Sequence, residues 1–197
     1  MSTMPEDKML KDHDYETAAY LLNCDVAAIK AVAEVESSGN GFLEDGRAKI
    51  LFEGHIFYKY TQGAYKDTHP TICYYPWTKQ FYLGGADEYK RLAEAETLDK
   101  SAARMSASYG KFQVMGFNFS VCGFSNVDDF YDAMQQDEAS QLNAFCEYIK
   151  HNCLDSCLEE HEWVDFAKRY NGLYYWKNNY DKKLEQAYNK CSAEDAG

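Results

Sequence analysis

Apolar residues recur at helical spacing along most of the chain, and the runs end at residues that are common in turns. Ile29, Val32 and Ala33 lie at positions i, i+3 and i+4, so they share one face of a helix predicted over 26–36. A shorter helix is predicted over 15–22. Further helical runs are predicted over 86–105, from Asn126, from Asp137, over 163–170 and over 180–188. The pattern therefore predicts a mainly helical protein.

Two stretches between these helices break the helical spacing. Asp45-Gly46 has apolar flanks, which is typical of a tight turn, and residues 49–55 follow with the pattern of a short strand. We expect a small β-hairpin there, beside the helix that ends at Glu36. Residues 67–85 are rich in aromatic side chains, proline and glycine, which predicts an irregular loop. The expected fold class is mainly α, within α+β, with one small hairpin.

The length of the chain favours a single domain, because 197 residues suffice for one sizeable core and are few for two. Residues 1–14 are polar, and we expect them to precede one domain over 15–190. The mostly acidic end, 191–197, is expected to be a mobile tail.

The charge of the chain excludes some classes of partner. Lys and Arg number 20 against 32 Asp and Glu, for a formal net charge of -12. This balance argues against nucleic acid or an anionic membrane as a partner bound by charge. No apolar run is long enough to span a bilayer, and residues 1–14 lack the apolar centre of a signal peptide. We therefore expect synthesis in the cytoplasm, no membrane insertion, and export by a separate route.

Seven cysteines do not form a recognisable disulfide framework, and their odd number leaves at least one thiol free. Cys146, Cys153 and Cys157 lie within one helical pattern, where cysteine commonly fills core space. Cys153 and Cys157 with His161 suggest a zinc site, but on one straight helix His161 would lie roughly 12 Å from Cys153. We expect neither a metal site nor a cofactor.

Glu36 is the first candidate for chemistry, because it lies at i+7 from Ile29 on the apolar face of its helix. Burial and the negative end of the helix dipole both raise the pKa of a carboxyl group. A raised pKa suits a general acid at neutral pH. The alternative is that Glu36 turns outward into water. Glu34 lies off the apolar face and is expected at the surface.

Three motifs occur in a recognisable order: VESSG at 35–39, SYGKFQVMG at 108–116 and RYNG at 169–172. They resemble the Glu-Ser, Gly-Leu-Met-Gln and Ala-Tyr-Asn signatures of goose-type lysozymes and lytic transglycosylases. More closely, residues 21–188 are similar to the N-acetylmuramidase domain of phage endolysins and related bacterial peptidoglycan hydrolases. The resemblance implies a lysozyme-like helical domain that cleaves the bond between N-acetylmuramic acid and N-acetylglucosamine.

The resemblance also implies roles for single residues. Glu36 matches the catalytic glutamate, which protonates the glycosidic oxygen. Tyr109 and Gln113 match the motif that lines the sugar groove, and Tyr170 and Asn171 match the motif that orients the glutamate and the substrate.

Two residues compete for the role of a second carboxylate. Asp45 lies nine residues after Glu36, a spacing similar to that of phage-type lysozymes, but Leu51 stands where a threonine is expected. Glu53 lies at the end of the predicted strand. Each also has a structural interpretation: Asp45 as a side chain that stabilises a turn, and Glu53 as a hydrogen-bonded or ion-paired strand end. If neither reaches the substrate, a hydroxyl of the muramic acid could attack internally and leave an anhydro end.

The leading hypothesis is a muramidase that binds a peptidoglycan glycan strand and lyses a bacterial wall. It would act as an endolysin that crosses the membrane through a holin, or as an injected antibacterial effector that a cognate immunity protein neutralises. The alternatives are a lytic transglycosylase, a catalytically silent glycan-binding domain of the same fold and, from the seven thiols, a cysteine amidase.

Overall fold

In the computed structural model of the chain, residues 6–36, 39–173 and 175–195 are described. The α-helices are α1 (Asp12–Leu22), α2 (Val26–Glu36), α3 (Gly54–Tyr60), α4 (Glu88–Leu98), α5 (Lys100–Met105), α6 (Val127–Gln136), α7 (Glu138–His151), α8 (Asp155–Glu159), α9 (Trp163–Tyr170) and α10 (Tyr180–Asp195). The strands are β1 (Ile50–Phe52), β2 (Ala107–Tyr109) and β3 (Val114–Met115). Short 3-10 helices lie at Glu6–Lys8, Gly85–Asp87, Gly116–Asn118 and Tyr175–Asn178. The predicted mainly helical class is confirmed.

Side chains at helix starts explain where several helices begin. Asn126 accepts a hydrogen bond from the backbone of α6, and Asp137 does the same for α7, as their spacing predicts. The single helix predicted over 86–105 is in fact two. Asp99 ends α4 in an extended conformation, and its carboxylate accepts a hydrogen bond from the Ala102 N–H at the start of α5. The apolar spacing alone did not indicate this break.

The sheet differs from the predicted hairpin. The three strands are antiparallel in the order β1-β2-β3, with Ile50 opposite Tyr109 and Ser108 opposite Met115. The Asp45-Gly46 turn closes only an isolated bridge between Phe42 and Ala48. The main partner of β1 is therefore the strand of the second motif.

The strand predicted over 49–55 ends early. β1 stops at Phe52, because the Glu53 carbonyl accepts hydrogen bonds from the Ile56 and Phe57 N–H groups and starts α3. The rest of the predicted strand therefore belongs to a helix start and its first turn.

Helix α2 lies at the centre of the core. Its buried residues are Ala27, Ala28, Ile29, Ala31, Val32 and Ala33. The small alanine side chains allow α1 and α10 to pack closely against it. This packing fixes the direction in which the end of α2, at Glu36, points.

Both ends of the described chain pack on the domain. Lys8, which precedes α1, donates a hydrogen bond from Nζ to the Gln135 carbonyl at 3.0 Å. At the other end α10 continues to Asp195 and includes Cys191, which is buried. Leu184, Ala187 and Cys191 are i, i+3 and i+7 of one buried face, which explains why the helix passes the predicted tail boundary at 191.

Within the described ranges, no helix is long and apolar enough to cross a membrane. The seven cysteines are free thiols, and Cys73, Cys122, Cys146, Cys157 and Cys191 are buried. Most of them fill core space, as predicted for Cys146 and Cys157. The prediction was wrong for Cys153, which is exposed in the turn between α7 and α8, because the helical pattern breaks there.

Candidate functional site

A cleft lies on both sides of the Glu36 carboxyl group. On one side is a cavity of about 240 Å³, lined by Glu36 and Gln113 together with Met115, Tyr148, Tyr170 and Asn171. On the other side is a cavity of about 300 Å³, lined by Glu36 and Gln113 together with Leu43, Lys49, Gly85 and Lys111. Because both cavities share Glu36 and Gln113, they are two halves of one cleft with Glu36 at its middle. We call them the Tyr170 side and the Lys49 side.

The environment of Glu36 favours the protonated form of its side chain. Burial raises the pKa of Glu36 to about 7, although a hydrogen bond from Asn171 and the charge of Lys183 act in the opposite direction. The Asn171 Nδ2 donates to Glu36 Oε1 at 2.9 Å. The carboxyl group therefore keeps a proton close to neutral pH while lying in an open cleft.

The third motif joins α9 to the cleft through two side chains. The Tyr170 hydroxyl donates to the Phe112 carbonyl at 2.9 Å, and its ring stacks on Phe166. Asn171 is the C-cap residue of α9, and its backbone N–H donates to the Ala167 carbonyl. The structure thus brings Asn171, Tyr170 and Glu36 together, from positions 135 residues apart in the chain for Asn171 and Glu36.

Gln113 lines the cleft, but its polar atoms are bound to the turn between β2 and β3. Its Oε1 accepts a hydrogen bond from the Ser108 hydroxyl at 2.8 Å, and its Nε2 donates to the Gly110 carbonyl at 2.8 Å. The backbone of Gln113 has a φ of 49°, which is rare for a residue with a side chain. These bonds hold the residue in that conformation and shape the floor of the cleft.

Tyr109 does not lie in the cleft, in contrast to the role that the resemblance implies. Its ring is fully buried and packs edge-on against Phe130 and Tyr131. Its hydroxyl donates to the Arg104 carbonyl at 2.9 Å. Residues alternate between the two faces of a strand, so in β2 the side chain of Tyr109 faces the core while Ser108 faces Gln113.

Asp45 is also outside the cleft. It lies in the exposed turn before Arg47, and Arg47 Nε donates to Asp45 Oδ2 at 2.9 Å. This hydrogen bond lowers the pKa of Asp45. The geometry is that of a side chain that stabilises a turn, the structural interpretation given above.

Glu53 lies at the start of α3 and is half-buried. The Tyr82 hydroxyl donates to Glu53 Oε2 at 2.6 Å, and His55 Nδ1 lies 3.2 Å from the same oxygen. Glu53 does not line either half of the cleft. Asp45 is also absent from the cleft lining. Among the residues that the structure describes, Glu36 is therefore the one carboxyl group on that lining. Ser37 and Ser38 of the first motif lie outside the described residues.

Two further side chains, Glu138 and Gln141, hold the cleft together, and the sequence pattern did not indicate them. Buried Glu138 accepts a hydrogen bond from the Gly41 N–H at 2.6 Å and lies 3.4 Å from Lys111 Nζ. Buried Gln141 accepts one from the Lys111 N–H at 2.7 Å. A Cβ at Gly110 would lie 2.3 Å from the Gln141 side chain, so the close approach needs glycine.

These bonds attach the loop after Glu36 and the β2–β3 turn to the start of α7. A glutamate in the first turn of a helix is usually solvated and interacts favourably with the helix dipole. Because this role is common, the sequence did not indicate that Glu138 is buried.

Comparison with known proteins identifies the family of the chain. The N-acetylmuramidase family matches residues 25–192. The crystal structure of an endolysin from the Burkholderia AP3 phage superimposes with a TM-score of 0.90 at 39% sequence identity, covering 96% of this chain and 73% of that one. No curated protein matches the chain. The chain therefore belongs to the N-acetylmuramidase family and is a glycoside hydrolase that acts on peptidoglycan.

Proposed function

We propose that the chain cleaves the glycosidic bond between N-acetylmuramic acid and N-acetylglucosamine, with Glu36 as the general acid. The observation that carries this proposal is the position of Glu36, a carboxyl group with a pKa raised to about 7 at the middle of a cleft. A glycan strand would lie along the cleft with sugars on both sides of Glu36.

The proton transfer follows from the hydrogen bond to Asn171. Asn171 Nδ2 donates to Oε1, and we propose that the proton resides on the other oxygen, Oε2. The proton passes from Oε2 to the bridging oxygen as the bond to the anomeric carbon breaks. Positive charge then develops on the sugar ring of the muramic acid. Asn171 is a positioning residue in this step, because it fixes which oxygen faces the substrate.

The second step uses water or the substrate itself. Enzymes with two carboxylates place them about 5 to 9.5 Å apart across the bond. Asp45 is bound to Arg47 and Glu53 to Tyr82, and neither lines the cleft. We therefore assign neither to the reacting atoms, although the sequence made both candidates. Water attack gives hydrolysis, the outcome that the family supports. Internal attack by a muramic acid hydroxyl gives the anhydro product of a lytic transglycosylase.

Product analysis tests this proposal. Digestion of purified peptidoglycan by the native chain should release fragments that end in reducing N-acetylmuramic acid, identified by mass spectrometry before and after borohydride reduction. Fragments one water lighter that resist reduction would show transglycosylation. Reducing N-acetylglucosamine ends would assign the other glycosidic bond. Free peptide stems would indicate an amidase and contradict the proposal.

The pH profile should report the pKa of Glu36. A general acid works in its protonated form, so kcat/KM should fall as the pH rises through about 7. Since the Asn171 hydrogen bond lowers this pKa, Asn171→Ala should move the fall to higher pH. Exposed Asn189 offers a control, Asn189→Ala, whose profile should match the native one. A fall at the same pH in the Asn171 variant would contradict the assigned hydrogen bond.

We also propose a role in wall lysis, as an endolysin released through a holin or as an antibacterial effector with a cognate immunity protein. The structural similarity to a phage endolysin favours the first. The neighbouring genes discriminate between them, since a holin gene accompanies an endolysin and an immunity gene accompanies an effector. A silent glycan-binding domain would not require a buried carboxyl group in the cleft, which favours the enzyme.

A further inference from the structure

The Lys49 side of the cleft carries two ammonium groups, although the chain as a whole has a net charge of -12. Lys49 and Lys111 both line this cavity, and among the residues with described positions Glu36 is the single carboxyl group on its lining. Glu36 is a weak countercharge, because its raised pKa leaves much of it neutral near pH 7. The residues that line this half of the cleft therefore include two lysines and one glutamate, in contrast to the acidic composition of the whole chain.

The backbone of Lys49 is held in place from both sides. Its N–H donates to the Gly41 carbonyl at 2.8 Å, and its carbonyl accepts from the Gly110 N–H at 2.8 Å. Lys49 therefore bridges the two loops that flank Glu36, and its half-buried side chain starts from a rigid position at the cleft wall.

The surroundings of Lys49 make its positive charge costly. Burial lowers the pKa of Lys49, and the neighbouring charge of Lys111 lowers it further. Glu138 acts in the opposite direction, but it lies beneath the wall, 3.4 Å from Lys111 Nζ. Lys111 Nζ also donates to the Gly39 carbonyl at 3.0 Å. An anion in the cavity would relieve the repulsion between the two ammonium groups.

We propose that Lys49, with Lys111 beside it, binds a carboxylate carried by the muramoyl units of the glycan. This inference rests on the proposed function and names what the cleft selects. A muramoyl unit differs from N-acetylglucosamine by a lactyl group whose carboxyl end is free in a peptide-free strand and carries the stem peptide otherwise. An ammonium group has three N–H donors, so Lys49 can bind a carboxylate in addition to the interaction that it already has. The lysines thus favour muramoyl glycans over neutral N-acetylglucosamine polymers.

The test measures binding in a Glu36→Gln background, where turnover is removed. Three soluble ligands are compared by calorimetry: peptide-bearing muramoyl strands, peptide-free muramoyl strands and N-acetylglucosamine oligomers. Lys49→Met keeps the apolar stem and the backbone bonds but removes the charge. It should weaken binding of a carboxylate-bearing strand about tenfold or more and leave binding of the neutral oligomers unchanged. Lys49→Arg should keep the preference for muramoyl strands.

The pattern of losses identifies the source of the carboxylate. A loss confined to peptide-free strands assigns the lactyl carboxylate, and a loss confined to peptide-bearing strands assigns the stem. Exposed Lys66 provides the control, because Lys66→Met removes the same charge from the chain and should change no binding constant. Equal losses for charged and neutral ligands, or no loss, would overturn the inference.

The proposed function is tested separately by glycan release from the chain with native Glu36. If that chain releases no saccharides, the proposed function fails whatever Lys49 does. If it releases them and Lys49→Met cleaves peptide-bearing and peptide-free muramoyl strands with native KM values, only the carboxylate site fails.

Discussion

Replacing Glu36 by glutamine should lower the rate of glycan release from peptidoglycan by about a thousandfold, because general acid catalysis contributes roughly 10²–10⁴. Glutamine has the shape of the protonated glutamate and can accept the same hydrogen bond from Asn171. It cannot give a proton to the glycosidic oxygen. Release of soluble saccharides at pH 6, where the native carboxyl group is protonated, measures the effect.

A matched control lies on the same helix. Glu34 is exposed two residues before Glu36, and its Oε2 accepts from Lys190 Nζ at 3.0 Å. Glu34→Gln therefore makes the same chemical change at the surface of α2 and should leave the rate native. Equal activity of the Glu36 and Glu34 variants would remove Glu36 from the reaction.

The stability of the Glu36 variant distinguishes lost chemistry from lost structure. The folded chain holds the Glu36 proton up to about pH 7, whereas the carboxyl group of the unfolded chain ionises near 4.5. The free energy of unfolding of the native protein therefore falls as the pH rises from 4.5 to 7, by about 1.36 kcal/mol per pH unit. Glutamine does not ionise, so at pH 8 the free energy of unfolding of Glu36→Gln should be about 3 kcal/mol higher than that of the native protein. At pH 4 the two proteins should have the same stability.

Local rules were sufficient for the helix that carries Glu36. Its apolar positions and the Asp25 side chain, which accepts from the Ala28 N–H at 2.7 Å, lie within the same short segment. The direction of Glu36 follows from this spacing, because a residue at i+7 from a buried Ile29 shares its face. A raised pKa at this position could therefore be predicted before any packing was known.

The walls of the cleft could not be predicted in this way, because they depend on contacts between distant segments. Gly41 bonds to Glu138 across 97 residues, and β1 pairs with β2 instead of folding back across the Asp45-Gly46 turn. Turn chemistry favours the nearest partner, but β1, at the edge of the sheet, pairs over three residues with the central strand β2, whereas the turn closes a single bridge. The wrong prediction for Tyr109 has the same cause. The order of the motifs indicates which segment lies near the cleft, but not which face of β2 borders the cleft and which faces the core.

Beside the cleft, a buried ion pair connects β1 to the loop before α4. Arg91 Nη1 donates to Glu88 Oε2 at 2.9 Å and to the Phe52 carbonyl at 2.8 Å. The other Glu88 oxygen accepts from the Leu83 and Gly84 N–H groups at 2.6 and 3.0 Å. Since Gly85 lines the Lys49 side of the cleft, this pair holds one of its edges.

Arg91→Met should lower the free energy of unfolding by about 3–5 kcal/mol, because it leaves the Glu88 carboxylate buried without a countercharge. Urea unfolding measures the loss. The double variant Glu88→Gln/Arg91→Met should recover part of it, since no uncompensated charge remains in the interior.

The neighbouring pair supplies a control with the same spacing in the same helix region. Lys90 Nζ lies 2.7 Å from Asp87 Oδ1, also at i, i+3, but its side chain is 76% exposed against 3% for Arg91. Lys90→Met should change the free energy of unfolding by at most about 1 kcal/mol, because water already solvates both charges. Similar losses for the two variants would mean that burial does not set the strength of the Glu88–Arg91 pair. A large loss for Arg91 alone, with weaker glycan binding at temperatures where the variant stays folded, would show that the same ion pair stabilises the fold and shapes the cleft.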